Sequence, residues 1–112
     1  MRIDGIIQSS LLYHEIHRNA QSDEWLLMIH GAGGSTRTWK RQVEELSGHF
    51  NLLIIDLPGH GQSAAINNPA PAYTFDSIGK TIWKVVDHHK IDQVHVLGVS
   101  LGAIIALNLE TQ

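Results

Sequence analysis

Three features of the sequence predict an α/β fold, with a mainly parallel sheet and flanking helices. Continuous apolar runs occupy Trp25 to Ile29, Leu52 to Ile55 and Val94 to Val99, the last interrupted only by His95 and Gly98. Runs of this length without polar alternation are typical of strands buried on both faces. Segments with helical periodicity follow each run, and a glycine-rich turn follows or overlaps each strand end. This alternation of strand and helix is typical of α/β proteins, and residues 1–112 are predicted to form part of one domain.

The N-terminal segment is predicted to form an antiparallel strand pair. Ile3 to Ile7 and Leu11 to Ile16 are its two strands, and either Asp4-Gly5 or Gln8-Ser9-Ser10 supplies the turn. Together with the three buried strands, this pair brings the predicted total to about five strands.

The first helix is predicted between the runs that end at residues 29 and 55. Trp39, Val43 and Leu46 are spaced four and three residues apart, which places them on one helical face. Ser35 or Thr36 is the expected N-cap, and the glycine two residues after Leu46 is placed to end the helix.

Two further helices are predicted in the second half of the chain. The segment Ala64 to Ala72 contains two prolines and is predicted to be a loop. Thr74 is the expected N-cap of the next helix, and Asp76 lies in its first turn. Its apolar positions are Phe75, Ile78, Ile82 and Val85 or Val86. The segment Ala103 to Leu107 is apolar on nearly all sides, which predicts a buried helix.

Composition excludes several classes of function. Eleven acidic and eight basic residues give a net charge of −3, and the sequence contains no block of basic residues, which argues against a nucleic-acid partner bound by phosphate neutralisation. The absence of cysteine excludes disulfides, thiolate metal sites and a cysteine nucleophile. The eight histidines show no metal-binding spacing, and neither a metal nor another cofactor is predicted. No apolar segment resembles a secretory signal or reaches the roughly 20 residues of a membrane span, so we expect a cytoplasmic protein without membrane contact.

The sharpest candidate for chemistry is Gly98-Val99-Ser100-Leu101-Gly102, which lies between a predicted strand and a predicted helix. A serine on such a tight turn adopts a strained backbone conformation, with its hydroxyl projecting above the sheet. Glycines two residues before and after it allow the strand and helix backbones to approach closely. The sequence therefore predicts that Ser100 is a nucleophile, although a helix-start serine without chemistry is the alternative.

The first glycine-rich turn, His30-Gly31-Ala32-Gly33-Gly34, is predicted to complete the site. Acyl transfer through a serine passes through an oxyanion, which needs two N–H donors aimed at it. We expect the backbone amides of Leu101 and Ala32 to be these donors, and His30, Gly31 and Gly33 to shape the binding side of the turn. An ordinary glycine-rich loop is the alternative.

The second turn, Asp56-Leu57-Pro58-Gly59-His60-Gly61-Gln62-Ser63, is predicted to be mainly structural. The proline fixes the turn, and the glycines permit backbone conformations closed to other residues. Asp56 ends a strand and could act as a catalytic acid, but we expect it to hold the following loop through hydrogen bonds.

Together these three motifs resemble those of the α/β-hydrolase fold family. His30 to Gly34 is similar to the family's oxyanion loop, residues 56–63 are similar to its D-x-P-G-x-G-x-S turn, and residues 98–102 are similar to its nucleophile elbow. The resemblance implies the N-terminal portion of an eight-stranded fold, in which the strand Val94 to Val99 would be an edge of the present sheet. It also implies loop-shaping roles for His30 and His60.

The resemblance implies a serine hydrolase of the carboxylic ester hydrolase type, which acts on a small acyl ester or a related carbonyl compound through an acyl-enzyme. The family's catalytic acid and histidine follow the serine in the chain. Only twelve residues follow Ser100, and they contain Glu110 but no histidine. We therefore expect both groups to lie beyond residue 112, with the cap segment, and the 112-residue chain to be inactive by itself.

Two alternatives remain open from the sequence. One is a non-catalytic member of the same fold that binds a small ligand or a partner protein. The other is one half of a split hydrolase, whose C-terminal half associates in trans.

Overall fold

The computed structural model describes residues 11–65 and 74–110, which form a sheet with helices on both faces. The strands are β1 (His14–His17), β2 (Trp25–Ile29), β3 (Asn51–Ile55) and β4 (His95–Gly98). The α-helices are α1 (Lys40–Leu46), α2 (Phe75–His88) and α3 (Leu101–Leu109). Two short 3₁₀ helices, Thr36–Trp39 and Gly61–Ala65, complete these elements. The α/β prediction is confirmed.

The sheet has the strand order β1-β3-β2-β4. Strand β2 pairs in parallel with both β3 and β4, whereas β1 is antiparallel to β3, with His14 opposite Ile55. Strands β2, β3 and β4 are parallel, so their carboxyl ends lie on the same side of the sheet. The three glycine-rich turns therefore meet there. The predicted strand Ile3 to Ile7, its turn and its pairing with the segment that contains β1 lie outside the described residues.

Alternate residues of the central strands feed two separate cores. Leu26 and Met28 face one side of the sheet, where they pack with Trp39 under α1 and the preceding 3₁₀ helix. Leu27 and Ile29 face the other side, where α2 and α3 cover them. Both faces of β2 and β3 are therefore buried, and this explains why their sequences are apolar without alternation.

The predicted helix starts are confirmed. The Ser35 side chain accepts a hydrogen bond from the Arg37 N–H and caps the 3₁₀ helix that leads into α1. At α2, the Ser77 N–H donates to the Thr74 side chain, and the Thr74 N–H donates to the Ser77 hydroxyl. This reciprocal capping box satisfies two N–H groups that a helix start leaves without partners.

Two predictions of burial and one of loop extent are wrong. Strand β4 is an edge strand of the described sheet, so Val96 and Leu97 are exposed instead of buried on both faces. Helix α3 buries Ile105 but leaves Ile104 52 % and Leu107 71 % exposed, because no described element covers its outer side. Residues 64 and 65 complete a 3₁₀ helix instead of opening the loop, and residues 66–72 lie outside the described residues. The prediction that β4 would be an edge strand is confirmed.

None of the helices in the described ranges is long and apolar enough to cross a bilayer.

Candidate active site

Ser100 lies between β4 and α3, immediately before the helix, in a backbone conformation that few residues adopt. Its φ is 56° and its ψ is −118°, outside the regions that L-residues favour, and its side chain is exposed. The Val99 N–H donates to the Ile29 carbonyl at 3.2 Å, which holds the turn against the end of β2. The strained turn that the sequence predicts is therefore present in the structure.

The two glycines that flank Ser100 are required by close backbone contacts. A Cβ atom on Gly102 would lie 2.2 Å from the Ile29 carbonyl oxygen and 2.6 Å from that of His30. A Cβ atom on Gly98 would lie 2.3 Å from the Gly102 carbonyl oxygen. The start of α3 thus rests directly on the end of β2 and on the end of β4. A side chain at Gly102 would push α3 away from β2, and one at Gly98 would push α3 away from β4.

The start of α3 carries the N–H group that the sequence predicts as the first oxyanion donor. Leu101 is the first residue of this nine-residue helix. An α-helix leaves its first N–H groups without intrahelical acceptors, and its dipole places partial positive charge at this end. The Leu101 N–H, next to Ser100, is one of these N–H groups, and its role as an oxyanion donor stays a prediction.

The turn after β2 lies directly beside the serine. A Cβ atom built on Gly31 would lie 3.3 Å from the Ser100 Cβ and 3.8 Å from its Oγ. The Gly34 N–H donates to the Gly31 carbonyl at 3.0 Å, and Gly33 has a φ of 80°. A positive φ at the third position is typical of a type II turn, which explains the glycine there. Ala32 and Gly33 are exposed at the tip of this turn.

His30 is fully buried and joins the turn after β2 to the turn after β3. Its Nε2 accepts a hydrogen bond from the Leu57 N–H at 3.0 Å, so the ring proton must be on Nδ1. Nδ1 then donates to the Gly31 carbonyl at 2.6 Å. Burial lowers the pKa of His30 and favours the neutral ring that this arrangement requires. The His60 ring packs against it at a centroid distance of 5.1 Å.

Asp56 holds the loops around the site, as the sequence predicts. One carboxylate oxygen accepts from the Thr36 N–H at 2.7 Å, and the other accepts from the Gln62 N–H at 2.8 Å. The Asp56 carbonyl accepts from the Ser63 hydroxyl at 2.7 Å. This carboxylate is therefore occupied by backbone donors on two loops, which is a structural role. The link to Thr36 was not predicted, because nothing local in the sequence connects residues twenty positions apart.

No acid–base pair lies beside Ser100 in residues 11–65 and 74–110. No histidine nitrogen of these residues is within hydrogen-bond distance of its hydroxyl; each hydrogen-bonded histidine has another partner. Glu110 caps the far end of α3, ten residues after Ser100 in the sequence. Within the same ranges, no group of three or more histidine or acidic side chains surrounds a point where a metal ion could bind.

Comparison with known proteins agrees with this geometry. The protein-family model of the α/β-hydrolase fold matches residues 24–109 of the sequence, from the residue before β2 to the end of α3. This chain belongs to the α/β-hydrolase fold family. The resemblance predicted from the three motifs is thereby confirmed.

The relatives that this chain resembles carry the names of different activities. The chain is 37 % identical over 83 residues to 2-succinyl-6-hydroxy-2,4-cyclohexadiene-1-carboxylate synthase of Yersinia enterocolitica, covering 74 % of this chain and 28 % of that protein. It is 31 % identical over 84 residues to the dihydrolipoyllysine-residue acetyltransferase component of the acetoin cleaving system of Pseudomonas putida, covering 75 % and 22 %. The structure of the enol-lactonase from Burkholderia xenovorans LB400 superposes with a TM-score of 0.77 at 27 % identity, covering 88 % of this chain and 37 % of that one. The chain thus spans about a third or less of the length of the curated relatives it matches.

The strain at Ser100 gives a testable prediction for stability. We expect Ser100→Gly to raise the free energy of unfolding by about 1 kcal/mol. Relief of about 1–3 kcal/mol of strain exceeds the 0.5–1 kcal/mol that glycine's unfolded-state freedom costs. Ser100→Ala keeps the Cβ atom and the strain, so its stability should stay within about 0.5 kcal/mol of the parent. Urea unfolding followed by circular dichroism measures both; a glycine variant less stable than the alanine variant contradicts the argument.

Proposed function

We propose that this chain carries the nucleophile and the oxyanion donors of a serine hydrolase that acts on small acyl esters, lactones or related carbonyl compounds. The observation that carries the proposal is the strained φ of Ser100 with the Gly31 backbone packed beside its side chain. A strained backbone persists only where the surrounding contacts enforce it, and such positions cluster at active sites.

In the proposed reaction, the Ser100 oxygen attacks the substrate carbonyl carbon, and the carbonyl oxygen becomes an oxyanion. The N–H groups of Leu101 and Ala32 donate to this oxyanion, with the dipole of α3 adding to the stabilisation. The alcohol leaves with a proton, and an ester forms between Ser100 and the acyl group. Water then hydrolyses that ester and releases the acid. No cofactor takes part.

Among the residues that the structure describes, none is placed to remove the proton of Ser100. Without a histidine at hydrogen-bond distance, a serine hydroxyl is a weak nucleophile. We propose that a histidine and an acid from polypeptide beyond residue 112 activate Ser100, either in a longer chain or in trans. The exposed apolar side chains of β4 and α3, together with a groove of about 420 Å³ beside Trp83 and Leu107, support an additional layer of protein there. By itself, the 112-residue chain is then inactive.

A fluorophosphonate probe tests the nucleophile directly in the 112-residue chain. We expect mass spectrometry of tryptic peptides to show Ser100 labelled at least about tenfold faster than Ser47, because the oxyanion donors stabilise the transition state only at Ser100. Imidazole in the buffer should raise this rate by supplying a base, and Ser100→Ala should abolish the label. Hydrolysis of a p-nitrophenyl ester should not exceed that of Ser100→Ala. Equal labelling of Ser100 and Ser47 contradicts the proposal.

A ligand-binding protein without catalysis is the second candidate, and the observation that favours it is that the described residues place no base near Ser100. The hydrolase and the binding protein predict different results once the fold is completed. This can be done by extending the protein along the reading frame after codon 112, or by mixing it with the polypeptide that completes the fold. A hydrolase then turns over many equivalents of ester in a Ser100-dependent reaction. A binding protein becomes acylated at most once and shows no sustained turnover.

A further inference from the structure

Two histidines from distant parts of the chain meet away from the candidate active site. His14 lies on β1, at the edge of the described sheet opposite β4, and His89 caps the C-terminal end of α2. Their Nε2 atoms are 2.8 Å apart, although the residues are separated by 75 positions in the sequence. The His88 ring packs edge-on against His89 at a centroid distance of 4.9 Å. The proposed hydrolase reaction uses none of these groups.

Hydrogen bonds fix the direction of the His14 lone pair. His14 Nδ1 lies 2.8 Å from the Leu12 carbonyl oxygen, which can only accept, so the ring proton is on Nδ1. The Nε2 lone pair therefore faces His89, whose Nε2–H donates to it. A histidine whose second nitrogen donates to a backbone carbonyl is the arrangement that orients metal-binding imidazoles in proteins.

The position of His89 is fixed by the end of α2. The Lys90 N–H donates to the Asp87 carbonyl at 2.9 Å, and the Ile91 N–H donates to the Val86 carbonyl at 3.3 Å. These two bonds form a Schellman motif, with Lys90 in the left-handed conformation at a φ of 57°. The two imidazoles are thus held by separate, well-defined backbone structures. Their side chains therefore lose less conformational entropy when an ion binds.

The nitrogen separation indicates which metal ions fit. Two metal–nitrogen bonds of about 2.0–2.1 Å place the nitrogens about 2.9 Å apart at a right angle and about 3.3 Å apart at a tetrahedral angle. The observed 2.8 Å matches the right angle, which square-planar or tetragonal ions prefer. We propose that His14 and His89 form a binding site for Cu²⁺ or Ni²⁺, in which both Nε2 atoms bind an ion that lies to one side of the line joining them, after the His89 proton has moved from Nε2 to Nδ1.

The surroundings limit the strength of this site. Protein groups supply two ligands, since no third histidine or acidic side chain of the described residues converges with them, and water fills the other positions. The Arg18 guanidinium lies over the Trp25 ring, and its positive charge, which contributes to lowering the pKa of His89, opposes a cation. Burial, followed by the charges of His14, His88 and Arg18, lowers the pKa of His89, so its ring is neutral and able to bind at pH 7.5. When the ion binds, His89 carries its proton on Nδ1.

Titration with Cu²⁺ at pH 7.5 tests the site in the 112-residue chain. We expect the tightest-bound equivalent to give an axial electron paramagnetic resonance spectrum with hyperfine splitting from two imidazole nitrogens. His14→Gln and His89→Gln should each lower the affinity at least about tenfold, since loss even of an outer partner costs that much. His17→Gln is the matched control, because His17 lies on the same strand with an exposed ring beside Glu15. It should bind Cu²⁺ with unchanged affinity.

Arg18→Gln provides a variant that keeps both ligands. Removal of its charge should tighten Cu²⁺ binding several-fold, whereas sites made by other histidines would not respond. Circular dichroism confirms that each variant is folded. If a variant does not fold, the number of coupled nitrogens in the parent protein decides the question. Any one of three results would overturn the proposal. They are a spectrum with one coupled nitrogen, a loss of Cu²⁺ affinity in His17→Gln equal to that in the His14 and His89 variants, and an unchanged Cu²⁺ affinity in Arg18→Gln.

Discussion

Gly102→Ala is expected to lower the free energy of unfolding by at least about 3 kcal/mol, or to prevent folding. The added methyl group would lie 2.2 Å from the Ile29 carbonyl oxygen and 2.6 Å from the His30 carbonyl oxygen. Both atoms belong to the backbone at the end of β2, so neither can rotate away as a side chain would. Alanine is favoured over glycine in a helix by about 1 kcal/mol, and a contact this short outweighs that gain.

Gly48→Ala is the matched control for this substitution. A Cβ atom on Gly48 would meet its nearest atom, the Glu45 carbonyl oxygen, at 3.9 Å, which is ordinary contact. We expect its stability to stay within about 1 kcal/mol of the parent protein. Urea or heat unfolding, followed by circular dichroism and tryptophan fluorescence, measures both variants. If the two alanine variants are equally stable, α3 does not pack on β2 as the structure describes.

Gly102 also shows how much of the site could be predicted from the sequence. The spacing of Gly98 and Gly102 around Ser100 follows from local geometry, because a strand and a helix that meet at one residue must approach closely on either side of it. The caps at Ser35 and Thr74 are local in the same way, and the structure confirms them. Local rules therefore predicted the strands, the helix starts and the strained turn.

The burial of β4 and α3 could not be predicted correctly from the same rules. An apolar sequence predicts that a segment is buried, but it does not specify which polypeptide covers it. Strand β4 is at the edge of the described sheet, and the outer side of α3 has no neighbour there, so Leu107 is exposed in an apolar helix. The contact of His14 with His89 was equally unpredictable, because it depends on how β1 packs against the end of α2.

The second large effect is expected at Asp56, where substitution should loosen both loops beside the site. The side chain is almost fully buried, and its two oxygens accept hydrogen bonds from the N–H groups of Thr36 and Gln62. Asp56→Ala leaves both donors without an acceptor, and a buried donor without a partner costs about 1–3 kcal/mol. We expect a loss of about 3 kcal/mol in the free energy of unfolding. Asp56→Asn keeps one acceptor oxygen and should lose about half as much.

The Asp56 variants separate a structural role from a catalytic one. Asp92→Ala removes an exposed aspartate and should change stability by less than about 0.5 kcal/mol, so it controls for the loss of a negative charge. In Asp56→Ala, the Thr36 and Gln62 amides should exchange with solvent deuterium much faster than in the control, because each has lost its acceptor. Thr36 begins the 3₁₀ helix that follows the turn beside Ser100, so its release should also slow fluorophosphonate labelling. Slower labelling with unchanged amide exchange would instead indicate that Asp56 acts on the chemistry itself.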